Sequence, residues 1–138
     1  MAESFRTPEL AEVIRASQVV LHPERFAYLQ VEARPPGAPF LIVEDRDEVT
    51  VVVREDDVDG TPYLAREGWY RLLEVRVAQP FTAVGFLASI TDAIAARGLN
   101  VLVVSTFSKD YLLVRDASVQ SAIEALRGLG FPVTTPVE

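Results

Sequence analysis

At the start of the second half of the chain, the spacing of apolar residues predicts a strand followed by a helix. From residue 69 to 77 the apolar side chains fall on alternate positions, with an interruption at Arg71: Trp69, Leu73, Val75 and Val77. Period-two alternation is typical of a strand with one buried face. Apolar residues then recur at helical spacing from about Ala83 to Ala96, and the following Arg97 and Gly98 suit a helix C-terminus.

A hairpin and a second helix follow. Val101 to Val104 is apolar throughout, as expected of a central strand covered on both faces, and Tyr111 to Val114 is its hairpin partner. Asp116 can cap a last helix, which Gly128 and Gly130 close before a short final strand. The apolar positions of that helix have the expected spacing: Val119, Ala122, Ile123 and Leu126. The order βαββαβ predicts the α+β arrangement called ferredoxin-like, with an antiparallel sheet and helices on one face.

The first half repeats part of this plan. Without gaps, Phe40 to Val58 lies over Val101 to Val119 at a constant offset of 61 in residue number. The strand Phe26 to Glu32 resembles the strand that ends at Val77, but at an offset of 45. The two offsets differ by 16, about the length of the first helix with its turns, so the first copy lacks that helix. The Pro/Gly-rich segment Arg34 to Pro39 takes its place. Any two Val-rich hairpins can align, but a degenerate duplication is the better explanation.

The residues before this repeat predict a short helix and another strand. Pro8 to Ala16 can form the helix, and Gln18 to Leu21 a strand that turns through His22 to Arg25 into the next one. We interpret His22 as a turn residue rather than a catalytic base, because no serine or cysteine nucleophile motif accompanies it. The chain thus divides into a degenerate N-terminal unit with a short helix, residues 1–64, and a complete C-terminal unit, residues 65–138.

Composition and charge exclude several classes of function. The 138 residues contain no cysteine and one histidine, which excludes thiolate nucleophiles, disulfides and Cys/His zinc sites. With 13 Lys+Arg against 20 Asp+Glu, the net charge of −7 argues against nucleic acid as a partner. No segment approaches the roughly 20 apolar residues of a membrane span. Because Met1 to Arg6 also lacks the features of a signal peptide, we expect a cytoplasmic protein without membrane contact.

Two acidic patches, Glu44 to Glu48 and Glu55 to Gly60, are the other candidates for chemistry. They could bind a divalent cation, but they lack the twelve-residue calcium-loop pattern, and a solvated hairpin and helix start explain them. The sequence contains no glycine-rich phosphate loop of the P-loop or dinucleotide type. We therefore predict neither a metal, nor a cofactor, nor catalysis.

Three segments carry a family resemblance: Trp-Tyr-Arg-Leu-Leu-Glu-Val at 69–75, Gly-Phe-Leu-Ala-Ser-Ile at 85–90, and Ser-Thr-Phe-x-x-Asp-Tyr-x-Leu-Val at 105–114. Together they resemble the ACT domain in its tandem, small bacterial form, and the chain is similar to the ACT pairs that end aspartate kinases and to animal cytosolic arginine sensors. The resemblance covers Phe26 to Phe131, and its third segment is the most specific. It implies a ferredoxin-like fold, side-by-side pairing of ACT units in a homodimer, an amino-acid site between units, and no catalysis.

The resemblance implies a site where the first predicted helix begins and the hairpin turns. The N–H groups and the dipole of a helix N-terminus can bind the ligand carboxylate, and Asp110 is the candidate partner of its ammonium group. Gly85 would let the ligand approach the backbone closely. The predicted ligand-binding residues are Phe81, Thr82, Ala83, Val84, Gly85, Ser105, Thr106 and Asp110. Alternatively, Thr82 caps the helix, Gly85 eases helix packing and Asp110 is solvated in a β-turn.

The first unit departs from the family's pattern. At the positions equivalent to Ser105, Thr106 and Asp110 it has Glu44, Asp45 and Val49. We therefore expect no symmetric pair of sites, and the second unit should supply most of any site, with the first unit or a second chain as its lid. Two functions stay open. One is an amino-acid-binding regulatory protein that reports its ligand to a partner enzyme or regulator, and the other is a ligand-free interaction module that keeps ACT-type dimerisation.

Overall fold

The computed structural model describes residues 7–136, so the segment Met1 to Arg6 considered above lies outside the described residues. The helices are α1 (Pro8–Ala16), α2 (Phe86–Ala95) and α3 (Val119–Leu129). The strands are β1 (Gln18–Val31), β2 (Leu41–Glu44), β3 (Val49–Arg54), β4 (Ala65–Arg76), β5 (Leu102–Ser105), β6 (Lys109–Arg115) and β7 (Val133–Thr134). Two short 3-10 turns, Glu55–Asp57 and Asp116–Ser118, follow β3 and β6. None of the helices in the described part of the chain has the length and apolar character to span a bilayer.

One curled sheet contains the seven strands, in the order β2-β3-β1-β4-β6-β5, with β7 beside β1. Its neighbouring strands are antiparallel except for β7, which runs parallel to β1. All three helices pack against one face through a single apolar core. Among the most deeply buried side chains of that core are Ile14, Leu73, Ile90, Leu112, Ile123 and Leu126. The predicted α+β fold, with an antiparallel sheet and helices on one face, is confirmed.

The opposite face of the sheet carries a second apolar cluster that joins the two halves of the chain. Phe26 and Val52 of the first half pack with Leu72 and other residues of the second half. The Phe40 ring, just before β2, meets the Tyr111 ring of β6 edge-on, with 4.9 Å between ring centroids. The curl of the sheet therefore brings the start of β2 toward β6, although three strands separate β2 from β6 in the sheet order.

Two strand predictions are wrong. The segment that begins at Val101 forms an edge strand, β5, which pairs with β6 alone. Both of its faces are nevertheless covered, because Val103 packs on the helical core and Val104 on the opposite cluster. In the first half, the predicted turn from His22 to Arg25 lies inside the continuous strand β1. A register shift against β4 accommodates these residues instead of a chain reversal.

Two helix boundaries also differ from expectation. Helix α2 begins at Phe86 rather than Ala83, because Gly85 at its N-cap has a φ of 83°, a left-handed conformation that cannot continue a helix. Asp116 does not cap α3, since the N-cap position is Ser118 and makes no side-chain cap bond. The Asp116 carboxylate lies instead between two guanidinium groups, 3.6 Å from Arg25 Nη1 and 3.7 Å from Arg71 Nη1.

The two hairpins β2–β3 and β5–β6 have the same register, at the offset that the sequence predicts. Leu41 lies opposite Val52, and Leu102 opposite Leu113. The first strands correspond at an offset of 44 rather than the predicted 45, because Phe26 lies opposite Arg54 and Tyr70 opposite Arg115. The first half is thus shorter than the second by one position more than predicted, and residues 32–40 contain no helix.

Candidate ligand-binding site

A cavity of about 270 Å³ lies between the segment that leads from β4 into α2 and the turn of the β5–β6 hairpin. These two segments meet because Arg76, the last residue of β4, lies opposite Lys109, the first residue of β6. The cavity is lined by Val77, Gln79, Pro80, Phe81, Ala83, Phe86, Leu87, Ser105, Thr106, Phe107, Lys109 and Asp110.

Five of the eight predicted site residues line this cavity: Phe81, Ala83, Ser105, Thr106 and Asp110. Thr82 and Val84 instead line a neighbouring cavity of about 550 Å³ between the same segment and α1. Gly85 lines neither of these cavities, and its place is the N-cap of α2. The two cavities share Gln79 and Ala83, so the segment between β4 and α2 forms a wall of both.

Asp110 is held in place by its neighbour across the hairpin. Ser105 and Asp110 are directly opposite each other, and Ser105 Oγ donates a hydrogen bond of 2.6 Å to Asp110 Oδ1. A carboxylate has about four acceptor positions, so this bond leaves capacity for further donors. Within residues 7–136, Asp110 forms no ion pair with a basic side chain. The site therefore contains a carboxylate whose charge no neighbouring cation balances.

The N-terminus of α2 supplies donors at the other side of the cavity. Its first bond of the regular helical type runs from Ser89 N to Gly85 O, at 2.9 Å. The N–H groups of Leu87 and Ala88 precede that bond and therefore have no partner within the helix. Leu87 lines the cavity, and the positive end of the helix dipole is nearby. A bound carboxylate group could accept hydrogen bonds here.

Both sides of the cavity fall within one recognisable stretch of sequence. Residues 65–128 match the family model of the ACT domain. This stretch is an ACT domain. It contains β4, α2, β5, β6 and nearly all of α3, and it contributes every residue that lines the cavity. ACT domains are regulatory ligand-binding domains, as the resemblance implied, and the resemblance is confirmed for this part of the chain.

Solved structures share the fold over most of the chain. A protein of unknown function from Vibrio cholerae, described as a possible transport protein, is 18% identical and superposes with a TM-score of 0.75 over 88% of this chain and 96% of its own. A protein from Agobacterium tumefaciens is 21% identical, with a TM-score of 0.75 over 88% of this chain and 95% of its own. The regulatory subunit of aspartate kinase from Thermus flavus is 11% identical, with a TM-score of 0.64 over 81% and 96%. No curated protein sequence matches.

Two phenylalanine rings at the mouth of the ACT-domain cavity were not both anticipated. Phe81 and Phe107 meet edge-to-face, with 5.0 Å between centroids, although 79% and 81% of their surfaces are exposed. Phe81 also has a φ of 71°, in the left-handed region that side chains other than glycine rarely adopt. Sequence reasoning included Phe81 but missed Phe107. The signal in the sequence was an aromatic residue in each of two turns that otherwise contain polar residues or proline.

A charged cluster adjoins the ACT-domain cavity through Lys109. Its Nζ lies 3.5 Å from Oε2 of Glu74, a residue that is only 5% exposed. His22 Nε2 donates to Glu74 Oε1 at 2.9 Å, and Arg76 Nε donates to Oε2 at 2.7 Å. Burial alone would raise the pKa of Glu74, but the bonds from Arg76 and His22 and the charge of Lys109 lower it to about 2. Lys109 therefore already has a carboxylate partner in Glu74, which it shares with Arg76.

Sequence reasoning missed this cluster, because it interpreted His22 as a turn residue and gave Glu74 no role. The signal was the single acidic residue within the apolar run Leu72-Leu73-Glu74-Val75. Elsewhere, no group of three or more histidine, aspartate or glutamate side chains converges among residues 7–136 as a metal site would require.

Proposed function

We propose that this chain is a non-catalytic regulatory protein that binds a free amino acid in the cavity of its ACT domain. One observation carries the proposal. The same small cavity is lined by Asp110, whose carboxylate pairs with no basic side chain among the described residues, and by Leu87, whose N–H group has no partner within α2. These two groups complement the ammonium and the carboxylate that every amino acid presents.

The size of the cavity agrees with such a ligand. Sites for drug-sized molecules occupy roughly 300–1,000 Å³, and this cavity of about 270 Å³ lies just below that range. The corresponding position in the first half cannot be equivalent, because Glu44 and Val49 occupy the positions of Ser105 and Asp110. We therefore assign one amino-acid site to each chain, within a complete unit of residues 65–138, with residues 1–64 as a degenerate unit beside it.

We further propose that two chains pair through the edge strand β5. This edge has backbone groups without a partner strand, and it lies next to Ser105 of the site. The other edge, β2, carries the acidic turn Glu44 to Glu48 beside it, which would repel a second copy of a chain with net charge −7. A pair joined at β5 would form a continuous sheet, and ligand binding beside the joint could be reported to a partner enzyme or regulator.

A second candidate function rests on the exposed aromatic pair. Phe81 and Phe107 could instead contact another protein directly, in a ligand-free interaction module that keeps ACT-type dimerisation. In that case Asp110 would be dispensable, and free amino acids would not affect stability. The two functions therefore differ in a simple measurement.

The test is a thermal-shift screen of the purified protein against the twenty amino acids at millimolar concentration. Ligand at about 100 times its dissociation constant stabilises a protein by roughly 2.7 kcal/mol, which raises Tm by several degrees in a domain of this size. We expect a selective shift that Asp110→Ala removes. Asp59→Ala is the matched control, because it removes an exposed carboxylate that does not line the cavity. A flat screen with a folded protein would favour the interaction module.

A further inference from the structure

We infer that the cavity selects an amino acid with a large apolar side chain, such as leucine, methionine or phenylalanine. This inference rests on the proposed function and narrows it to one ligand class. It follows from three properties of the cavity wall. Its charged residues have other partners, its remaining surface is mostly apolar, and its residue Phe81 has a left-handed backbone conformation.

The charged residues of the wall already have partners other than the ligand side chain. Among the described residues of the lining, Asp110 is the one acidic and Lys109 the one basic residue. Asp110 would pair with the ligand ammonium, and Lys109 lies 3.5 Å from the Glu74 carboxylate. A lysine or arginine side chain would therefore find no second carboxylate in the cavity. A glutamate or aspartate side chain would have to compete with Glu74 for Lys109.

The rest of the wall is mostly apolar. The segment between β4 and α2 contributes Val77, Pro80 and Phe81, α2 contributes Leu87, and the hairpin contributes Phe107. The two phenyl rings are largely exposed, so their surface is available to cover a ligand side chain. Burial of a leucine- or phenylalanine-sized side chain against such a surface is favourable roughly in proportion to the apolar area removed from water.

The backbone keeps Phe81 at the cavity against its local preference. A bulky residue at a φ of 71° is strained, and strained residues persist only where the surrounding structure maintains them, often at ligand sites. In this conformation the Phe81 ring packs edge-to-face with Phe107. Aromatic faces also attract cationic side chains. The absence of a second carboxylate in the described lining favours the apolar ligand.

Isothermal titration with L-leucine, L-methionine, L-phenylalanine, L-arginine, L-glutamate and glycine tests this selectivity. We expect one of the large apolar amino acids to bind at least about 10-fold more tightly than glycine, arginine and glutamate. Phe81→Ala and Phe107→Ala should each reduce that preference several-fold. Leu64→Ala is the control, because Leu64 is an exposed apolar residue that does not line the cavity.

The outcomes separate this inference from the proposed function. Tightest binding of arginine, glutamate or glycine that depends on Asp110 would overturn the selectivity and leave the amino-acid site intact. Apolar preference that survives both phenylalanine variants would overturn the role of the two rings. If no amino acid binds, the proposed function fails, and the selectivity fails with it.

Discussion

Ser105 and Asp110 lie directly opposite each other in the β5–β6 hairpin, and the Ser105 hydroxyl donates a 2.6 Å hydrogen bond to the Asp110 carboxylate. This contact fixes the orientation of the one acidic side chain that residues 7–136 contribute to the cavity lining. Hairpin register, which the sequence sets over a few residues, thus determines where a negative charge lies in the cavity.

Asp110→Asn and Ser105→Ala should weaken amino-acid binding to different extents. The first removes the charge that pairs with the ligand ammonium, and a hydrogen bond to a charged group contributes about 1.5–3 kcal/mol, so we expect an increase in Kd of about 10-fold or more. Ser105→Ala keeps the charge of Asp110 but removes the hydrogen bond that orients its carboxylate, so we expect a smaller, several-fold increase in Kd. Isothermal titration with the ligand found in the screen measures both, and wild-type affinity in both variants would contradict the assignment.

The protein should lose stability in acid, because the buried Glu74 carboxylate becomes protonated there. Its pKa is lowered from 4.5 to about 2 in the folded state. A carboxyl group with a depressed folded-state pKa stabilises the fold above its unfolded pKa, and this contribution is lost as the pH falls from about 4.5 toward 2. At neutral pH the contribution is up to about 3 kcal/mol, given about 1.36 kcal/mol for each pKa unit. Urea unfolding at a series of pH values should show the loss.

Glu74→Gln tests the origin of that pH dependence. The variant should be less stable at pH 7, and its free energy of unfolding should vary less between pH 4.5 and 2 than that of the wild type. Glu67→Gln is the control, because Glu67 lies on the same strand but is exposed. If Glu74→Gln keeps the full acid dependence of the wild type, other carboxyl groups cause it.

Replacement of Phe81 should show the backbone strain directly. At a φ of 71°, alanine stays strained whereas glycine does not, so Phe81→Gly should be more stable than Phe81→Ala by about 1 kcal/mol. In an ordinary exposed loop the order would be reversed, because glycine gains more entropy on unfolding. Chemical denaturation of the two variants gives the comparison, and greater stability of the alanine variant would argue against the left-handed backbone.

The proposed dimer predicts that the two sheet edges respond differently to proline. Thr106 N donates to Lys109 O at 2.8 Å, so the N–H groups alternate along β5 and that of Val103 points away from β6. Val103→Pro removes an outward donor and should convert the dimer to monomer. Ile42→Pro is the matched control, because Ile42 has the equivalent position in β2, where Asp45 N donates to Glu48 O at 3.1 Å.

Analytical ultracentrifugation of the two proline variants gives the result. We expect a monomer for Val103→Pro and a dimer for Ile42→Pro and for the wild type. A wild-type monomer would contradict the dimer, and dissociation by Ile42→Pro alone would move the interface to the other edge.

The hairpins were predictable from sequence because their determinants are local. Strand alternation and turn length fix which residues face each other, and these features recur at one constant offset in both halves. The position of β5 in the sheet was not predictable in this way. Val103 and Val104 are apolar because the curled sheet and the helices cover both faces, which has the same sequence signature as a central strand.

Features that depend on distant parts of the chain were also missed. His22 and Glu74 are 52 positions apart in sequence, and their contact arises because β1 continues through a bulge along β4.

The start of α2 was also not predictable from the spacing of apolar residues. That spacing continues back to Val84, but the backbone angle at Gly85 ends the helix before it. Five of the eight predicted site residues line one cavity, and their role in ligand binding stays a prediction. The turns that carry them follow directly from the strand and helix order.

The most direct test of the amino-acid site is the change in backbone amide NMR shifts when amino acids are added to the ¹⁵N-labelled protein. The ligand found in the screen, or otherwise an equimolar mixture of the twenty amino acids, is titrated to millimolar concentration. We predict changes concentrated at residues 79–88 and 105–110, with the amides of Leu87 and Ala88 among the largest, and little change at residues 44–49 of the equivalent first hairpin. Changes centred on residues 44–49, or no changes in a folded protein, would contradict the proposed site.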